Sequence, residues 1–147
     1  MTKPTVALAA DHAGFELKDL LRDELKSAGY PILDLGTNSS QSVDYPDFGR
    51  KLAEAVANGE AALGVVVCGT GIGISIAANR VPGCRAALCH DTTTARLARQ
   101  HNDANVLALG ARTTGVETAK DCLKTFLETA FEGGRHARRV AKLGAPA

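Results

Sequence analysis

Five short apolar runs, each followed by a polar or amphipathic stretch, constrain this chain more than any other feature: Thr5 to Ala10, Pro31 to Leu35, Leu63 to Cys68, Arg85 to Cys89 and Val106 to Leu109. Runs of this length, rich in small and β-branched residues, read as strands buried on both faces, and the stretches between them are long enough for helices. Their alternation predicts β-α units around a mostly parallel sheet, hence three layers. Phe15 to Ala28 is the clearest helix, because Phe15, Leu17, Leu20, Leu21 and Leu25 recur near helical spacing and Gly29 supplies a C-terminal stop. Further helices are predicted at Asp47 to Ala57, Ile72 to Asn79, Thr93 to His101 and Thr114 to Phe131, with a last basic one at His136 to Leu143. No internal repeat, low-complexity tract or linker divides the chain, and 147 residues with 45% hydrophobic content suit a single domain. The longest irregular stretch, Gly36 to Asp44, is polar and reads equally as a functional or a solvated loop.

Charge narrows the function classes. With 17 basic and 16 acidic side chains, no global field draws the chain to nucleic acid or an anionic membrane, so any anion site must be local. Charges or glycines interrupt every apolar segment before transmembrane length. The N-terminus MTKPTVALAADH lacks a signal-peptide core, and the four cysteines contain no CxxC pair. Reduced thiols and a cytoplasmic location are expected.

In open parallel α/β sheets, ligands collect beyond the carboxyl ends of the strands. There the sequence places Asp11 and His12 after the first strand, Cys68-Gly69-Thr70-Gly71-Ile72-Gly73 after the third, His90-Asp91 after the fourth and Gly110-Ala111-Arg112 after the fifth. The glycines at 69, 71 and 73 allow backbone N–H groups to converge at a helix start and cradle an anion. The turn is neither G-x-G-x-x-G nor a nucleotide P-loop, since it lacks the third glycine and the lysine. Ile74 occupies the arginine position of a cysteine-phosphatase loop. A tight strand-to-helix turn without ligand would use the same glycines.

Cys68 directly precedes that turn, where a helix N-terminus and converging amides favour a thiolate suited to general-base work. A buried structural cysteine is the alternative, and it is the preferred reading of Cys84, Cys89 and Cys122. His101 closes a helix, where a surface or capping role is the preferred reading of the residue taken alone, and Asp11 and His12 could merely cap the helix after them. Arg135 and Arg139, after the Gly133-Gly134 pair, share a helical face that can clamp phosphate or form a solvated basic tail. The spacing of ligand-type residues points to no dedicated metal site.

Taken together and in order, Asp11-His12-Ala13-Gly14-Phe15, Asp44-Tyr45-Pro46, the Cys68 to Gly73 turn, Arg99-Gln100-His101-Asn102 and Gly133-Gly134-Arg135-His136 carry a resemblance to the B-type ribose-5-phosphate isomerases. The resemblance spans nearly the whole chain. That family also holds allose-6-phosphate and galactose-6-phosphate isomerases. It implies a three-layer α/β/α Rossmann-like sandwich with a five-stranded parallel sheet, in homodimers or homotetramers whose active sites lie between subunits. It further implies a phosphorylated sugar as substrate, no nucleic-acid partner, and neither metal nor organic cofactor.

Carried over by residue, the resemblance makes Cys68 the base moving a proton between C1 and C2, and Gly69, Thr70, Gly71, Ile72 and Gly73 the cradle for the enediolate oxygen. His101 would assist ring opening. Asp11, His12 and Asn102 would bind the sugar or its phosphate, and Arg112, Arg135 and Arg139 the phosphate. One branch of the family uses a glutamate base a few residues later, where this chain has Ile74, so the cysteine version is expected. Ribose 5-phosphate is the expected substrate, with another phosphorylated aldose as the alternative. A non-catalytic sugar-phosphate binding module on the same fold is the reading from a different class; a receiver-type domain fits less well, because Cys68 stands where its aspartate should be.

Overall fold

The computed structural model describes residues 2–146. Strands β1 (Val6–Ala10), β2 (Ile32–Asp34), β3 (Leu63–Cys68), β4 (Ala86–Leu88) and β5 (Val106–Gly110) form one sheet in the order β2-β1-β3-β5-β4. Every pairing is parallel, as the alternation of runs predicts. The helices are α1 (Phe15–Ser27), α2 (Tyr45–Ala57), α3 (Ile72–Asn79), α4 (Thr92–Asn102), α5 (Val116–Glu128) and α6 (Arg135–Leu143).

Packing follows the period of the strands. In β1, Val6, Leu8 and Ala10 join the core formed with Leu21 and Leu25 of α1, Ala95 of α4 and Phe126 of α5. The intervening Ala7 and Ala9 join the opposite core with Leu52 of α2 and Ile74 of α3. Side chains that alternate between faces can be buried throughout only if helices cover both faces, and β1 and β5 are buried at every position. Each fully buried Leu or Phe contributes about 1.5–3 kcal/mol, which is enough to hold the three central strands in place. The edge strands β2 and β4 span only three residues each and are half-buried, shorter than the runs that predict them.

Local chemistry sets the helix ends. Gly29 takes φ +88°, and the N–H groups of Gly29 and Tyr30 return to the carbonyls of Lys26 and Leu25, so the expected stop is real. Helix α2 begins at Tyr45 rather than Asp47, because Pro46 fits the first turn, where its missing N–H costs nothing. Helix α5 ends at Glu128, short of Phe131, and no residue of α6 is buried.

Candidate active site

Strand β1 connects to β2 on one side of the sheet and β3 leads to strands on the other, so the carboxyl ends of β1 and β3 flank a topological switch point. An open cleft of about 480 Å³ lies there. Asp11, His12, Cys68, Gly69, Thr70, Ile72, Gly73 and Arg112 all line it, joined by Ala13, Tyr45 and Ile76. Thus the residues expected after the first, third and fifth strands converge, although they are scattered along a hundred residues of sequence.

The β3-α3 turn shapes the floor. Gly71 has φ +77°, and a Cβ there would lie 2.5 Å from Leu88 Cδ1 and 2.9 Å from the Leu109 carbonyl carbon, so both backbone conformation and space require glycine. This conformation turns the Gly71 N–H onto Cys68 Sγ at 3.1 Å. The thiol is 4% exposed and sits at the edge of the cleft with an amide donor on its sulfur. The Ile72 N–H is engaged by Thr70 Oγ1 at 3.2 Å. Part of the amide cradle therefore serves the turn itself, while the carbonyl of Gly69, four residues before Gly73 at the start of α3, accepts the Arg112 N–H at 2.8 Å.

Asp11 and His12 are positioned by β1 and fixed by hydrogen bonds. The N–H groups of Ala13 and Gly14 both donate to Asp11 Oδ1 at 3.0 Å, so Asp11 does secure the chain entering α1 while also lining the cleft. Gly14 permits this entry, since a Cβ would lie 2.5 Å from the Val67 carbonyl oxygen. His12 Nδ1 accepts the Val43 N–H at 3.1 Å. That bond assigns the neutral ring's proton to Nε2, making it a donor, and ties the Gly36 to Asp44 loop to the cleft. Arg112 lies over Gly69, with Nη1 3.4 Å from the position of a Gly69 Cβ, and pairs with no carboxylate among the described residues. Its guanidinium stands beside the Gly69 to Gly73 turn.

The remaining expected residues lie elsewhere. Because β4 and β5 are parallel, α4 must return the chain to the amino edge of the sheet; its 11 residues cover about 16 Å. His101 and Asn102 end that helix, so within one chain they stand at the sheet edge opposite Cys68. Arg135 and Arg139 are exposed on α6, which packs near α4. His101 stacks on His136 with ring centroids 4.4 Å apart and planes within 13°. Glu132 Oε1 lies 3.7 Å from His101 Nε2 and 3.9 Å from His136 Nε2. Desolvation, then the neighbouring His101 and Arg135, push His136 below the usual histidine range.

Two features escape the sequence reading. Glu132 and His136 do stand at i, i+4 spacing, contrary to the expectation that no metal-type pair occurs, and with His101 they gather three ligand atoms within 4.8 Å. The second is Lys18, which is fully buried on α1 with Nζ 2.7 Å from Asp34 Oδ1, 3.0 Å from Asp19 Oδ1 and 3.0 Å from Asn38 Oδ1. A lysine at a buried helical position gives no signal in the sequence until its partners are known. Burial opposes ionisation of Asp34, but hydrogen bonds from Lys18, the Gly36 amide and Arg22 outweigh it and hold the carboxyl below the usual carboxylate range. Burial pushes the Cys84 and Cys122 thiols up to about 11 and raises Cys89 as well. All four cysteines are free.

The fold and the cleft define a Rossmann-like α/β protein with a cysteine and an amide cradle at its switch point. Residues 6–143 match the family model described as Ribose/Galactose Isomerase. The chain is 46% identical over 140 residues to ribose-5-phosphate isomerase B of Escherichia coli (strain K12), covering 95% of this chain and 94% of that protein. It is also 43% identical over 141 residues to D-erythrulose-4-phosphate isomerase of Pectobacterium atrosepticum, covering 95% and 93%. Among solved structures, ribose-5-phosphate isomerase B of Clostridium thermocellum superposes with TM-score 0.94 at 54% identity, covering 95% of each chain. The chain belongs to the ribose/galactose isomerase family.

Proposed function

We propose that this protein is an aldose-ketose isomerase that interconverts ribose 5-phosphate and ribulose 5-phosphate through an enediolate. One observation carries the reading: the Cys68 sulfur sits in the switch-point cleft with the Gly71 N–H directed at it, flanked by Asp11, His12 and Arg112. As thiolate, Cys68 removes the proton from C2 of the open-chain aldose and returns it to C1. The hydroxyl proton on C2 leaves as the carbonyl forms there, and O1 gains one, so no atom or electron is lost. Negative charge on the enediolate oxygen is met by those amides of the Gly69 to Gly73 turn that Cys68 Sγ and Thr70 Oγ1 do not engage, which are in place before the reaction and need no reorganisation. The proton transfer itself requires no metal or organic cofactor.

His101, Asn102, Arg135 and Arg139 serve the site of a second copy of the chain. The opposite-edge placement of His101 supports this, as do the exposed apolar side chains beside the cleft: Ile72 is 53% exposed and Ile76 61%. A homodimer or homotetramer buries them and brings an acid/base imidazole for ring opening and two guanidinium groups for the phosphate to each cysteine. Four free cysteines fit a reducing, cytoplasmic setting. No helix among the described residues is long and apolar enough to cross a membrane.

The test is aldose-to-ketose conversion by purified protein with chelator present, on ribose 5-phosphate and on allose, galactose and erythrose phosphates. Turnover fastest on the pentose is expected. Preference for the tetrose, which the Pectobacterium relative brings into view, keeps the mechanism and changes the substrate. Tight binding without turnover on any sugar supports a binding module instead.

A further inference from the structure

We propose that His101, Glu132 and His136 form a binding site for a zinc-type divalent cation, and that its occupation slows turnover by taking His101 out of use. Two imidazoles and one carboxylate are the ligand set that borderline cations such as Zn²⁺ take, with a fourth position left to water. Zinc-ligand bonds of about 2.0–2.1 Å at tetrahedral angles place ligand atoms roughly 3.4 Å apart. Glu132 Oε1 already lies 3.7 and 3.9 Å from the two Nε2 atoms, and the three ligand atoms fall within 4.8 Å of one another, so tetrahedral spacing calls for closures of at most about 1.4 Å. The rings are stacked with planes within 13°, so their in-plane lone pairs run parallel and capture of one ion turns one imidazole out of the stack toward Glu132, which is half-exposed and faces both Nε2 atoms. Arg135 and Arg139 nearby oppose a cation, which favours reversible capture over permanent tenancy.

Binding can be read without substrate. Co²⁺ titrated into the metal-free protein is expected to give one visible d-d absorption band per chain, displaced by Zn²⁺, with direct Zn²⁺ calorimetry giving the same stoichiometry. Glu132→Gln and His136→Asn should each weaken binding by at least about tenfold. Glu132 is exposed, so its variant keeps the test valid if replacement of the part-buried His136 disturbs folding. Absence of a stoichiometric band, or its survival in Glu132→Gln, overturns the site.

The slowing of turnover rests on the proposed isomerase function. Zn²⁺ should slow the wild type over the range that titrates the Co²⁺ band, reversibly with chelator, and should slow Glu132→Gln only at higher concentration. Stoichiometric binding without slowing overturns the regulatory consequence, while a metal-free protein that turns over no sugar overturns the functional reading and leaves the cation site standing.

Discussion

The two halves of the candidate site are built differently. At the carboxyl edge, Cys68, Asp11 and His12 stand at or just beyond the ends of buried strands, and each is held by a backbone amide of its own chain. At the α4-α6 corner, Arg135 and Arg139 stand exposed on a helix with no buried residue, and His101 is held chiefly by stacking on His136. The chain finishes the first half by itself. The second offers long cationic side chains whose ordering costs entropy that no ion pair among the described residues offsets. Such a division suits a site assembled from two copies, each contributing a rigid cleft and an adaptable cationic arm.

The largest effect that tests this contrast is at the rigid half. Cys68→Ala should reduce conversion by about 10²–10⁴-fold with unchanged circular dichroism; near-normal turnover would remove the assigned base. Complementation sharpens the comparison further. If one copy supplies Cys68 and another His101, re-associating Cys68→Ala with His101→Ala chains restores about a quarter of wild-type activity, because half of randomly formed dimers carry one intact site of two. If both residues served the same cleft within one chain, mixing would restore nothing.

Smaller effects concern how the rigid half is held. Lys18→Met should cost about 3 kcal/mol, the lower end for breaking a buried pair, since the Asp34 side chain remains 21% exposed; the urea midpoint reads this directly. Gly71→Ala should cost about 1–3 kcal/mol through its positive φ and the contact with Leu88, and should lower turnover as well, because the amide on Cys68 Sγ moves. Finally, the Asp34 carboxyl is depressed in the folded state, so its contribution is complete at neutral pH and is lost as pH falls below about 4 through the folded value. Acid unfolding of Lys18→Met should therefore begin at higher pH than that of the wild type.

Much of this was legible in the sequence, for identifiable reasons. Strands buried on both faces leave near-continuous apolar runs, and a positive-φ turn or a helix stop leaves a glycine, so the five strands, the stop at Gly29 and the Cys68 to Gly73 turn could all be located. The switch-point rule then places Asp11, His12, Cys68 and Arg112 on one edge from the sequence alone. What the sequence could not rank was distance. The strand order, with β5 inserted between β3 and β4, follows from how the helices pack. The pairing of Lys18 with Asp34 and Asn38, the Val43 N–H on His12 and the meeting of His101 with Glu132 and His136 all join residues at least sixteen positions apart. Local propensity and periodicity act over a few residues and determine the elements. Contacts between elements depend on which faces are buried together, and only the tertiary structure decides that the chain's own thiol and its own His101 lie at opposite edges of the sheet.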